Sequence, residues 1–195
     1  MSSGEPDTRT KILNAAWQLL ESGDASAVRM GDIAKAAGIS RQAVYLHFPS
    51  RADLLVATVR HIDAVKQVDA RLEASRNATD SLSRLDALID AWAAYIPEIH
   101  GVCSALIAMK KTDPAAKAAF DDRMAALRHG CEAAVRDMRH DGVLTDRYTD
   151  EQATDILWTI VSLDSWERLV TECGWTQEQY ANETKRLARL ALSSG

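Results

Sequence analysis

Apolar residues recur along most of the chain at spacings of three and four, the repeat of a helix with one buried face, and no stretch sustains the alternation of a half-buried strand. This pattern predicts an all-α fold of about nine helices. The first carries Ile12, Leu13, Ala16, Leu19 and Leu20 on one face; Asp7 or Thr8 caps it, and Gly23, suited to a left-handed exit, ends it. A short second helix over residues 30–37 buries Met30, Ile33, Ala34 and Ala37. Gly38 turns the chain, Ile39 fills the corner, and Ser40 caps a third helix that reaches only to His47. Pro49 stops it, and Ser50-x-x-Asp53, an acidic variant of the capping box, opens a long fourth helix striped by Leu55, Val59, Ile62, Val65 and Leu72.

Beyond a polar stretch at 75–81, the face Leu82, Leu85, Leu88, Ile89, Trp92 and Ile96 predicts a fifth helix that Pro97 breaks. A sixth, with Pro97 in its first turn, presents Ile99, Val102, Cys103, Leu106 and Ile107. Asp113-Pro114 starts a seventh that runs to about His140 and stops at Gly142. Residues 150–173 and 176–192 complete the chain as an eighth and a ninth helix. The arrangement predicted is a three-helix N-terminal domain, residues 1–52, and a helical bundle, residues 53–195.

Composition adds that the chain should fold: of its 195 residues 47% are hydrophobic and 26% charged, ordinary globular values. No apolar run approaches the ~20 residues of a membrane span, and the opening MSSGEPDTRTK lacks the basic and apolar parts of a signal peptide, so a cytoplasmic protein with no membrane partner is expected. Cys103, Cys131 and Cys173 are far apart and form no CxxC, which predicts reduced, mostly buried thiols. The net charge of −5 argues against nucleic acid until it is divided: residues 1–61 hold seven Lys/Arg against six Asp/Glu, and the remainder sixteen against twenty-two. Only the N-terminal region escapes the acidic excess.

That region also carries the distinctive motif. Two short helices joined by a glycine turn pack steeply when small residues line the contact, which Ala34 and Ala37 supply, while Ile33, Ile39, Val44 and Phe48 form a small core. With Val44 and Phe48 turned inward, helical spacing puts Arg41, Gln42, Tyr45 and Leu46 on the opposite face. Arg and Gln suit bidentate pairing with guanine and adenine edges in a major groove, each pair contributing ~1–3 kcal/mol of discrimination. Ser40, Tyr45, His47, Ser50 and Arg51 are placed for phosphates, which fix register.

Residues 8–55 resemble the DNA-binding region of the tetracycline-repressor (TetR) family, in the run Ile33-Ala34-x-x-Ala37-Gly38-Ile39-Ser40 and then Val44-Tyr45-x-His47-Phe48-Pro49-Ser50-Arg51. The later helices match by number, length and order. The resemblance implies a homodimer on a two-fold operator, repression released by a ligand in the C-terminal domain, and DNA contact by Arg29, Ser40, Arg41, Gln42, Tyr45, His47 and Arg51. Arg29 stands where the family often has Ser or Thr, and either adds a phosphate contact or points to solvent.

The body is less specific. Trp92, Tyr95, Trp158 and Trp166 at helical spacing fit a core or a ligand box; with His100, Cys103, Ile107 and Ser162 they form the candidate lining of a pocket for a small apolar or aromatic ligand. His100-x-x-Cys103 offers two metal ligands on one face, but no further cluster completes a set, so no metal or cofactor is expected. No nucleophile, paired carboxylate or phosphate loop marks an enzyme. The broad apolar faces of 150–173 and 176–192, including Ile156, Leu157, Ile160, Val161, Tyr180, Leu187 and Leu190, exceed what one layer covers and predict a dimer interface through the last two helices. A constitutive DNA-binding regulator without effector and an all-helical enzyme are the competing classes.

Overall fold

The computed structural model describes residues 7–23 and 28–194; residues 1–6, on which part of the leader reading rests, lie outside it. Every regular element among the described residues is a helix, with one isolated antiparallel bridge between Leu144 and Ser193. The helices are α1 (Thr8–Glu21), α2 (Met30–Ala36), α3 (Arg41–His47), α4 (Arg51–Val65), α5 (Val68–Arg71), α6 (Glu73–Arg76), α7 (Ser81–Met109), α8 (Pro114–His140), α9 (Asp150–Ile160), α10 (Leu163–Trp166) and α11 (Gln177–Leu192), with a π-helical turn, Glu167–Glu172, after α10. No described helix is long and apolar enough to cross a membrane.

Packing divides the chain into two compact units. One comprises the described residues up to Lys66 and Ile99–Met124; the other comprises Gln67–Glu98 and the chain from Ala125 onward. In the first, α1 packs on α2 and α4, and α2 on α3, around Ile12, Leu13, Leu20, Ile33, Val44, Leu54, Leu55 and Ile62. Leu19 is only half-buried. In the second, Leu85, Ile89, Val135, Met138, Leu157, Ala188 and Leu192 form the core cluster, with Leu72, Trp92 and Trp158 packed against it.

Three expected boundaries move. The fourth helix ends at Val65, which is half exposed, because Gln67 adopts a left-handed conformation (φ 56°) that no α-helix propagates. Ile62 therefore serves the first unit's core and Leu72 the second's cluster. Pro97 does not split the chain into a fifth and a sixth helix: α7 runs unbroken for 29 residues with Pro97 inside it. The carbonyl that Pro97 leaves without a helical partner, that of Ala93, accepts a bond from the Gln177 side chain instead. Residues 150–173 form no single helix, because the Ser162 hydroxyl accepts from the Ser165 amide (3.2 Å) and starts a new turn. The limits of α8 and α11 fall where the sequence puts them. Asp113 caps α8 through the amides of Ala115 (3.0 Å) and Ala116 (3.3 Å), and Thr176 with Gln179 forms a complete capping box before α11.

Candidate nucleic-acid interface

A seven-residue helix is too short to persist in water by itself, so α3 must be held from outside. At its start the Ser40 hydroxyl accepts from the Ala43 amide at 3.1 Å. Before it, α2 ends in a pair of bonds, Ile39 N–H to the Ala34 carbonyl (3.0 Å) and Gly38 N–H to that of Lys35 (3.2 Å), with Gly38 at φ 69°. This is the Schellman arrangement, which aims the chain into α3 at a fixed angle and favours glycine at the left-handed position. On the inner side Val44 is fully buried and Phe48 nearly so; each such burial contributes ~1.5–3 kcal/mol. Phe48 is covered by the Arg9 guanidinium, 5.1 Å from the ring centre.

The outer side is open. Arg41, Gln42 and His47 are exposed, Tyr45 is 40% and Leu46 82% exposed, as the spacing predicts. The Arg41 Nη2 donates to the Tyr45 hydroxyl at 3.3 Å, and the guanidinium lies 5.6 Å from the Tyr45 ring centre, so the two side chains sit together along one helix edge. Arg29 is exposed at the N-cap position of α2 and makes no side-chain cap bond there.

Two expected phosphate ligands have other tasks. The Ser50 hydroxyl accepts from the Asp53 amide (3.1 Å) and donates to the Asp53 carboxylate (2.7 Å), so Asp53 closes the cap through the hydroxyl and not through the Ser50 backbone. Arg51 is turned inward. Its Nε donates to the Val28 carbonyl (2.6 Å) and its Nη1 to Asp113 Oδ2 (2.5 Å), which ties the start of α4 to the segment before α2 and to the cap of α8. Burial pushes the Asp113 carboxyl up, but the Arg51 bond and the Ala116 and Ala115 amides hold it below its ordinary value. Further along, Arg60 and Arg123 both bond Asp122, and Arg123 also bonds Asp63, joining α4 to α8 a second time. Sequence reading missed this ion-pair set, since its partners stand some sixty residues apart in the chain.

The candidate ligand residues are distributed over both units. Trp92, Tyr95, Trp158, Ser162 and Trp166 belong to the second, and His100, Cys103 and Ile107 to the first. Trp92 and Tyr95 meet edge to face at 6.3 Å, and the Arg71 guanidinium lies 5.6 Å from the Tyr95 ring centre. The Trp92 indole donates to the Val161 carbonyl (2.6 Å), the Trp166 indole to Gln177 Oε1 (2.9 Å), and His100 Nε2 pairs with Ser104 Oγ (3.3 Å). Cys103 is buried, and burial with the nearby Asp63 charge pushes its thiol up to about 12; Cys131 is likewise pushed up to about 12 by burial. Both are reduced and buried, whereas Cys173 is exposed, unlike the other two. A surface groove of about 470 Å³ lies in the first unit, lined by Thr10, Asn14, Trp17, Glu21, His61 and Val65 among others. There His61 Nε2 meets Asn14 Oδ1 at 2.8 Å, and burial, with the charge of Arg9, lowers the His61 pKa.

Two short helices joined by a glycine turn, the second clamped from inside and open on its polar face, form a helix-turn-helix arrangement. The profile described as "Bacterial regulatory proteins, tetR family" matches residues 12–58. The nucleoid occlusion factor SlmA of Marinomonas sp. is 27% identical over 110 residues, 55% of this chain and about half (54%) of that protein's length. The HTH-type transcriptional regulator CymR of Pseudomonas putida is 28% identical over 96% of this chain and 89% of its own. Among solved structures, the transcriptional regulator FadR from Bacillus subtilis, in complex with stearoyl-CoA, superposes with a TM-score of 0.73 at 12% identity, over 92% of this chain and 96% of that one, a likeness of fold. Residues 12–58 thus match the tetR family of bacterial regulatory proteins, and the chain is similar over nearly its whole length to a transcriptional regulator.

Proposed function

We propose that the chain binds a two-fold symmetric operator as a homodimer and represses transcription in the cytoplasm until a small apolar or aromatic ligand occupies its helical body. The observation that carries the DNA half is the exposed edge of Arg41, Gln42, Tyr45 and Leu46 on a helix whose other side is locked by Val44 and Phe48. In this reading Arg41 and Gln42 pair with base edges, Leu46 makes an apolar base contact, and Arg29, Ser40, Tyr45 and His47 meet phosphates. Ser50 and Arg51 act by fixing the start of α4, which their internal bonds support. Residues 1–52 read DNA and 53–195 sense and dimerise; this divides tasks, while α4 packs with the first unit.

Leu187 and Leu190 on α11, 41% and 67% exposed, support self-association through the C-terminal helices, which would set two α3 helices about one DNA turn apart, ~34–36 Å. The stearoyl-CoA in the FadR structure supports a ligand-binding body. The bonds that already engage Trp92, Trp166 and His100 favour a second reading, a regulator without effector. The test is operator binding by Arg41→Ala with Gln42→Ala, on sites selected from random DNA and across a salt titration. Loss of ~10-fold or more in preference for the selected site over random DNA is expected, with non-specific binding and its salt dependence largely kept. An unchanged site preference would refute the assignment of the readout face.

A further inference from the structure

Pro97 has no N–H, so within α7 the carbonyl of Ala93, four residues earlier, has no backbone donor, and Ala93 is buried away from water. Gln177, the first residue of α11, fills the vacancy: its amide nitrogen donates to the Ala93 carbonyl, and its amide oxygen accepts the indole N–H of Trp166 at 2.9 Å. Trp166 is the last residue of α10 and is buried, followed directly by the π-helical turn. A second indole works in the opposite direction. Trp92, adjacent to Ala93 on α7, donates at 2.6 Å to the carbonyl of Val161, the residue at which α9 ends and Ser162 begins α10. The proline in α7 and the break between α9 and α10 are thus each closed by a side chain from the other side.

We infer that these two bonds form a conformational latch, in which Gln177 fastens α10 and α11 to the point that Pro97 opens in α7, and that releasing it displaces the Leu187–Leu190 face of α11. Unlatching takes the side-chain donor from the buried Ala93 carbonyl and the Gln177 acceptor from the Trp166 indole at once, so the latch closes or opens as a whole, and such two-state elements are what a regulator's ligand can bias. Residues on either side of Pro97 are otherwise helical, so the helix can keep its course in both states. The part concerning α11 rests on the proposed dimer; the part concerning α7 does not.

The experiment is a double-mutant cycle on the full chain, Pro97→Ala against Gln177→Leu, read by urea unfolding and by sedimentation equilibrium. Gln177→Leu alone is expected to raise the unfolding constant ~10-fold or more and to weaken self-association by a similar factor. In the Pro97→Ala background the amide of residue 97 returns to the Ala93 carbonyl, so the same substitution is expected to cost several-fold less in both readouts. Equal cost in the two backgrounds means that Gln177 contributes by packing alone, and overturns the latch. If Gln177→Leu does not fold, the latch requires the double variant to fold, and its failure is equally fatal. A chain that is monomeric at every concentration overturns the dimer and the α11 part, while the urea coupling decides the α7 part independently.

Discussion

Asp113→Asn removes one negative charge and keeps nearly every atom in place. In the folded chain Asp113 does two things: Oδ1 caps α8, and Oδ2 accepts from Arg51 at 2.5 Å. Asparagine is also a good cap, so its oxygen can keep the first role, whereas the second loses its ionic partner. A hydrogen bond to a charged group contributes ~1.5–3 kcal/mol net. Both side chains are about a quarter exposed (23% and 24%), so solvent screening brings this to about 1–1.5 kcal/mol. Asp113→Ala forfeits the cap as well, for about 1 kcal/mol more. Urea unfolding at constant slope measures both, and a cycle with Arg51→Leu isolates the pair, with an expected coupling of about 1 kcal/mol. Arg51→Leu should also weaken operator binding, because Arg51 holds the Val28 carbonyl ahead of α2. A coupling under ~0.3 kcal/mol, or equal costs for Asp113→Asn and Asp113→Ala, would refute the two-task account.

Acid should weaken the same joint. Asp113 and Asp122 are held below the ordinary carboxylate value of 3.8, Asp113 despite burial and Asp122 first by its bond to Arg60. A carboxyl whose folded pKa is depressed contributes stability that is complete well above pH 3.8 and lost as the pH falls through the lowered value, so the urea midpoint should drop between about pH 5 and 3, and less steeply in Asp113→Asn. At pH 8 a thiol alkylating reagent should modify Cys173 in the native protein, while Cys103 and Cys131, buried and pushed up to about 12, react only on unfolding; rapid native labelling of either buried thiol would contradict their placement. Leu187→Glu with Leu190→Glu should leave stability nearly unchanged and yield monomers by sedimentation, since both side chains are exposed in the isolated chain; a persistent dimer would move the interface elsewhere.

The helix α3 was legible in the sequence because everything that defines it is local. Gly38 permits the left-handed turn, Ser40 caps, Pro49 stops, and the three- and four-residue spacing of Val44 and Phe48 fixes which face is buried and hence which is open. The same holds for α8 and α11, whose caps at Asp113 and Thr176 are read within a few residues. What local pattern cannot contain is the partner that arrives from far along the chain. Pro97 ends a helix by every nearby signal, yet α7 continues through it, and the donor that the Ala93 carbonyl lacks comes from Gln177, eighty residues beyond the proline. Arg51 carries an arginine's capacity for phosphate, and Asp113, sixty-two residues away, turns it inward. The sequence by itself determined the locally capped helices and which face of α3 stays open, through sterics and periodicity within single turns; tertiary packing decided which polar groups are left to act, because a hydrogen-bond donor serves whichever acceptor the fold brings within reach.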